Sequence, residues 1–265
     1  MLEEQIIPRL LARSGAPTAI HLKRFHSYGL GESHVDQLLT GVEDLVLDGS
    51  VKLGFRTHYP QIETKLTARG ANMDEIQMKL APVEAEVRKR LGNFILGEDD
   101  QTLEGVLLAE LTAREGSLAV VETFTAGQIA ARIAHLPGAE KVFRRGLVAR
   151  DPAELAATLG HGGGLISGEM TRETAERVAE SMRRETSASH ALAVLIEVDD
   201  GPDRIDFGGS IHLAIASEDG VESRRSRIYG GRDWVRLGAA ELGLDCLRRY
   251  LQGLPVTERT DFERV

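Results

Sequence analysis

Apolar positions recur in two registers along the chain, every second residue and every third or fourth, and the switches between them divide it into strands and helices. Residues 18–25 alternate and read as a strand, and Gly29-Leu30-Gly31 breaks it. Val35, Leu38, Leu39, Val42 and Leu45 then share one face of a helix expected over residues 32–47. Residues 51–58 and 62–67 alternate again and join through Tyr59-Pro60, which predicts a hairpin. Ile76, Leu80, Val83 and Val87 stripe a second helix over residues 72–91. Strand, helix, strand, strand, helix is the order of a small α+β, KH-like unit, assigned to residues 1–98.

After the acidic stretch Gly97-Glu98-Asp99-Asp100, strands and helices alternate, which predicts a three-layer α/β/α domain over residues 99–254. Leu103, Leu107 and Leu111 mark a helix over 101–115, and strand 118–121 runs into a small-residue turn and a helix through Ile133. Strand 142–149, a short helix after Pro152, a glycine run at 160–164 and a helix capped by Thr171 follow. Strands at 190–198, 209–216 and 222–229 lead to a closing helix with Val235, Ala239, Leu242, Cys246 and Tyr250 on one side. Residues 255–265 carry no periodicity and are expected to form a loose tail.

Composition removes several classes of function. No apolar run approaches the ~20 residues of a membrane span, and Met1-Leu2-Glu3-Glu4 is acidic where a signal peptide is basic, so a cytoplasmic chain with no membrane partner is expected. Cys246 is the single cysteine and the eight histidines are scattered without ligand spacing, which predicts no metal site and no bound cofactor. The formal charge of −9 argues against nucleic-acid binding. Within residues 1–98, 12 Lys/Arg face 13 Asp/Glu, and no G-x-x-G is present to clamp a nucleic-acid backbone.

The chemistry concentrates at Val121-Glu122-Thr123-Phe124-Thr125-Ala126-Gly127, where a strand meets a helix through a sharp turn. Such a turn sets backbone N–H groups and hydroxyls at the carboxyl edge of a sheet, where open α/β folds bind ligands. Taken alone, the threonines are also explained as helix caps.

This turn resembles the A-E-S-C-T-G-G of the competence/damage-inducible protein CinA family. Further matches are Leu136-Pro137-Gly138, Gly146-Leu147-Val148-Ala149, Ile166-Ser167, Gly209-Ser210-Ile211-His212-Leu213-Ala214 and Gly230-Gly231-Arg232 with Arg236. Gly29-Leu30-Gly31-Glu32-Ser33 is similar to the G-I-G-E-S of the family's linker subdomain. The molybdopterin-binding-like domain that full-length members carry before this linker has no counterpart in these residues. The resemblance implies a nicotinamide-nucleotide amidohydrolase fold, a homodimer and a small nucleotide ligand. It places that ligand near Glu122, Thr125, Ala126, Gly127, Gly146, Ser210 and Arg232.

Hydrolysis of a carboxamide needs a nucleophile, a base for its proton and donors for the developing oxyanion. Active members use the turn serine, assisted by a tyrosine and a lysine. Those three positions are Thr123, Arg150 and Leu155 here. Leucine accepts no proton, and loss of the base lowers the rate by orders of magnitude. The glycine-rich T-G-I-A-G-P-G-G-G loop of the family corresponds to residues 197–205, where Asp199, Asp200 and Asp203 would repel a phosphate. Drift and a changed ligand both account for that replacement. The expectation is a family member that keeps the fold and has lost the reaction, acting as a ligand-binding or regulatory homologue. The alternative is an active amidohydrolase with Thr123 as nucleophile.

Overall fold

The computed structural model describes residues 5–9, 19–159, 169–199 and 207–263. It divides into two compact units, one of Met1–Ser27, Gly31–His58 and Ile62–Asp99 and one of Tyr28–Leu30, Tyr59–Gln61 and Asp100–Val265. The glycine run at 160–164, Ile166-Ser167 and the acids Asp200 and Asp203 lie outside the described residues.

The first unit has strands β1 (Ala19–Tyr28), β2 (Val51–His58), β3 (Gln61–Gly70) and β4 (Ile95–Glu98) in the order β2-β3-β1-β4. Helices α1 (Glu32–Leu39) and α2 (Met73–Leu91) bury Val35, Leu39, Ile76, Leu80, Val83 and Val87. Asn72 caps α2 by accepting the Glu75 N–H at 2.9 Å. Two differences from the sequence reading have local causes. Helix α1 ends at Leu39 because the chain turns through Gly41, whose φ is 78°, and this leaves Leu45 half exposed. The acidic stretch contains a strand, β4, antiparallel to β1. Its acids are held there: Lys23 pairs with Glu98 at 2.7 Å and with Asp99 at 2.6 Å, and Asp99 also accepts the Arg24 N–H at 3.1 Å.

The second unit is a three-layer α/β/α sandwich. Its sheet runs β6-β5-β7-β8-β9, from β5 (Leu118–Glu122), β6 (Phe143–Val148), β7 (His190–Asp199), β8 (Gly208–Ala216) and β9 (Val221–Tyr229). β6, β5 and β7 are parallel, whereas β8 and β9 are added antiparallel. Every residue of β5 and β8 is buried, as expected for strands covered on both faces. On one face, α6 (Pro152–Leu159) and α7 (Arg172–Thr186) bring Leu155, Ala175, Val178 and Met182 against Ala119, Val121, Ala193 and Leu195. The other face carries α3 (Leu103–Ala113), α4 (Gln128–Ala134), the single turn α5 (Ala139–Val142) and α8 (Arg232–Leu251). No described helix is long and apolar enough to cross a membrane.

Residues 255–263 are not loose. Val256 is fully buried and its carbonyl accepts from Arg224 at 2.7 Å, Arg249 pairs with Glu258, and Ile228 of the edge strand β9 bridges to Glu263. The segment covers part of an edge strand whose backbone would otherwise stay open. That demand arises from the sheet, and no periodicity announces it.

Helix α8 approaches the sheet closely at Gly243, where a Cβ would stand 2.8 Å from Cγ2 of Val194 and 3.4 Å from Cδ1 of Ile129. Gly243→Ala therefore overpacks a full core. The expected loss is about 1–3 kcal/mol of stability, read by urea denaturation.

Candidate functional site

β5 delivers the turn to the carboxyl edge of the sheet. Ala126 (φ 58°) and Gly127 (φ 82°) both take the left-handed conformation, which turns the chain sharply from strand into α4. The turn is held from within by Glu122. Its fully buried carboxylate accepts the Thr125 hydroxyl at 2.7 Å and the Ile129 and Ala130 N–H groups at 3.0 and 2.8 Å. These are first-turn amides of α4, which have no partner inside the helix. The Glu122 carboxylate and the Thr125 hydroxyl thus bond within the turn itself.

Thr123 has an equally definite task. Its N–H reaches Val194 O at 3.3 Å, continuing the parallel ladder, and its Oγ1 accepts the Ile196 N–H at 2.9 Å. The hydroxyl stands in for the carbonyl the next ladder rung would have offered, because the chain turns away after Glu122. Thr123 is 2% exposed, and no lysine, histidine or carboxylate hydrogen-bonds its hydroxyl among the described residues. Lys141, on the short helix before β6, makes no hydrogen bond to it.

Leu155 is packed in the core under α7 and faces no ligand surface. Gly146 leaves room for α4, since a Cβ there would stand 2.9 Å from Cβ of Ala130. Ser210 is buried on β8 between Glu197 and Arg227 in register. Asp199, one of the acids expected to repel an anion, is neutralised by an ion pair with Arg227.

The structure brings Arg150 and Arg232 together over one aromatic ring. The Arg150 guanidinium carbon lies 4.9 Å from the Phe124 centroid and that of Arg232 lies 5.2 Å from it, with Phe207 5.7 Å from Arg232. Phe124 is buried, 6% exposed, while both arginines are exposed. Each cation–π contact contributes about 0.5–1 kcal/mol at an exposed site and orients a planar fork of donors. Behind them, Arg236 reaches Gln128, the first residue of α4, at 2.6 Å. Phe124 and Phe207 are the site residues that the motif comparison passes over. The available signal was an aromatic residue inside a turn otherwise built from small and polar ones.

A cleft of about 480 Å³ opens at the N-terminus of α7, lined by Thr171, Arg172, Glu173, Glu197, His212 and Arg225 among others. Thr171 Oγ1 caps the helix by accepting the Thr174 N–H at 3.1 Å. The imidazole of His212 is held below its ordinary range, first by burial and then by Arg225. No group of three or more metal-ligating side chains is assembled among the described residues.

A sheet covered on both faces, with a tight strand-to-helix turn, two arginines and a buried phenylalanine at its carboxyl edge, places this unit in the open α/β class. The model of the CinA C-terminal domain matches residues 100–251, and that of the damage-inducible protein CinA KH domain matches residues 23–97. The chain belongs to the CinA family. It is 33% identical over 263 residues to a CinA-like protein of Frankia casuarinae, covering 98% of this chain and 61% of that protein. A CinA-like protein of Myxococcus xanthus is 32% identical, with 97% and 62% covered. The chain therefore spans about three fifths of the length of these relatives. The crystal structure of a competence or damage-inducible protein from Enterobacter asburiae superposes with a TM-score of 0.51 at 19% identity, covering 57% of this chain and 99% of that one, a likeness of fold.

Two outcomes test this geometry. Glu122→Ala orphans the buried Ile129 amide and the part-buried Ala130 amide, and an unsatisfied buried donor costs about 1–3 kcal/mol; the expected result is a loss of that size or more in chemical denaturation, with Glu122→Gln intermediate. His190, like His212, is held below the ordinary histidine value of 6.5, first by burial and then, for His190, by Arg114. Depressed histidines bind fewer protons folded than unfolded, so stability is full above about pH 6.5 and falls as the pH drops below it. Denaturation at pH 7.5 and 5 should show that decline, and His212→Gln should flatten it.

Proposed function

We propose that this protein binds a small phosphate-bearing, nucleotide-type ligand at the carboxyl edge of the second sheet, over Phe124 and between Arg150 and Arg232, without hydrolysing it. The observation that carries this reading is the state of Thr123. A hydroxyl nucleophile needs a base to take its proton, and this hydroxyl is buried, bonded to the Ile196 N–H and without a basic partner among the described residues. Arg150, at the position of the family's tyrosine, stays protonated and cannot act as that base. Leu155, at the position of its lysine, is a core residue.

The arginine pair supports binding in place of chemistry. Guanidinium forks match phosphate and carboxylate oxygens two at a time, and the buried ring beneath both cations holds them side by side at the sheet edge. The ligand class comes from the family resemblance and the two cations together.

The test is incubation of purified protein with nicotinamide mononucleotide, with ammonia release measured beside a thermal-shift titration of the same compound. The expected result is no ammonia above background and a rise in melting temperature that Arg150→Ala with Arg232→Ala removes. Ammonia release that survives Thr123→Ser and disappears in Thr123→Ala would establish the active amidohydrolase instead.

A further inference from the structure

Away from the Phe124 turn, the edge strand β9 and the segment that follows α8 enclose a second cleft of about 490 Å³, within the size range of small-molecule sites. Its lining includes Arg172, Arg224, Arg225, Arg227 and Arg259 against one acid, Glu263. In a chain of net charge −9 this is a strong local reversal.

Three of the arginines are already paired. Arg224 meets Glu263, Arg227 meets Asp199, and Arg172 meets Glu176 at 3.1 Å. Arg225 and Arg259 are exposed and make no hydrogen bond or ion pair among the described residues. Arg225 and Arg259 are thus the two arginines of the lining without a carboxylate partner among the described residues, and two such cations match the charge of a phosphate group near neutral pH. The third feature is Ser226, a lining residue 6% exposed, whose buried hydroxyl has no hydrogen-bond partner. A buried hydroxyl left without a partner is costly, and a ligand oxygen in the cleft would satisfy it.

We propose that this cleft is an anion site, distinct from the Phe124 turn, for a small molecule of the phosphomonoester or diphosphate class. Arg225 and Arg259 supply the donor forks, Ser226 donates its hydroxyl, and the paired arginines keep the floor positive. Arg227 lies 5.0 Å above the Tyr229 ring, which fixes its position on the strand. The site rests on the edge strand and the segment around residue 259, so it holds whatever the fate of the turn at Thr123.

The experiment is calorimetric titration with inorganic pyrophosphate at low ionic strength, on the full chain carrying Arg150→Ala and Arg232→Ala so that the first site is silent. One saturable site is expected in that background, and adding Arg225→Ser with Arg259→Ser should weaken it at least tenfold. Both side chains are exposed, and unchanged circular dichroism would confirm that the fold is intact. Ser226→Ala removes a hydroxyl unpaired in the free protein, so it keeps stability and should weaken binding roughly fivefold, the equivalent of one ordinary hydrogen bond. Absence of saturable binding in the silent background, or an affinity unmoved by either set of changes, overturns the proposal.

Discussion

The ion that organises the second unit is the carboxylate of Glu122. It ends a parallel strand, lies fully buried, and turns back to accept two amides of the helix that its own turn opens. Desolvating a carboxylate is expensive unless its oxygens are filled, and here three donors fill them. The left-handed pair Ala126-Gly127 is stabilised by the same arrangement, because the helix can start only where those amides meet the carboxylate. The position of Phe124 follows, and with it the ring on which Arg150 and Arg232 converge.

The scaffold and the reaction can therefore part company. Glu122 and the Thr123 hydroxyl satisfy backbone groups of α4 and β7, so they are required for folding whether or not any substrate is turned over. Catalysis would add a base, and the positions where the family resemblance places assistance hold a stacked arginine and a core leucine. A family member can keep the whole turn for stability while its ligand surface is rebuilt around it. The arginine-lined cleft at β9 shows the same economy, with most of its cations fixed by carboxylates and two left exposed.

Much of the fold was legible in the chain. The strands at 190–198, 209–216 and 222–229 and the helix from Thr171 carry unbroken periodicity, and the structure places β7, β8, β9 and α7 there. Strand β4 escaped because four residues ending in Gly97-Glu98 are too short for a period, and its acids are explained only by Lys23 and Arg24 across the sheet. The segment 255–263 escaped because it is held by arginines of β9 and α8 and has no pattern of its own. At the site, the turn was visible but its wiring was not. That Ile196 meets Thr123 depends on register between strands 73 residues apart, and the convergence of Arg150 and Arg232 on Phe124 joins three separate segments.

The proposed binding without hydrolysis at this turn is open to a crystal structure of the protein soaked with nicotinamide mononucleotide. Intact carboxamide density is expected, with phosphate oxygens within hydrogen-bond distance of Arg150 and Arg232 and Thr123 Oγ1 still accepting the Ile196 N–H. The deamidated carboxylate product in the site, or a carboxamide carbon in contact with Thr123 Oγ1, would contradict it.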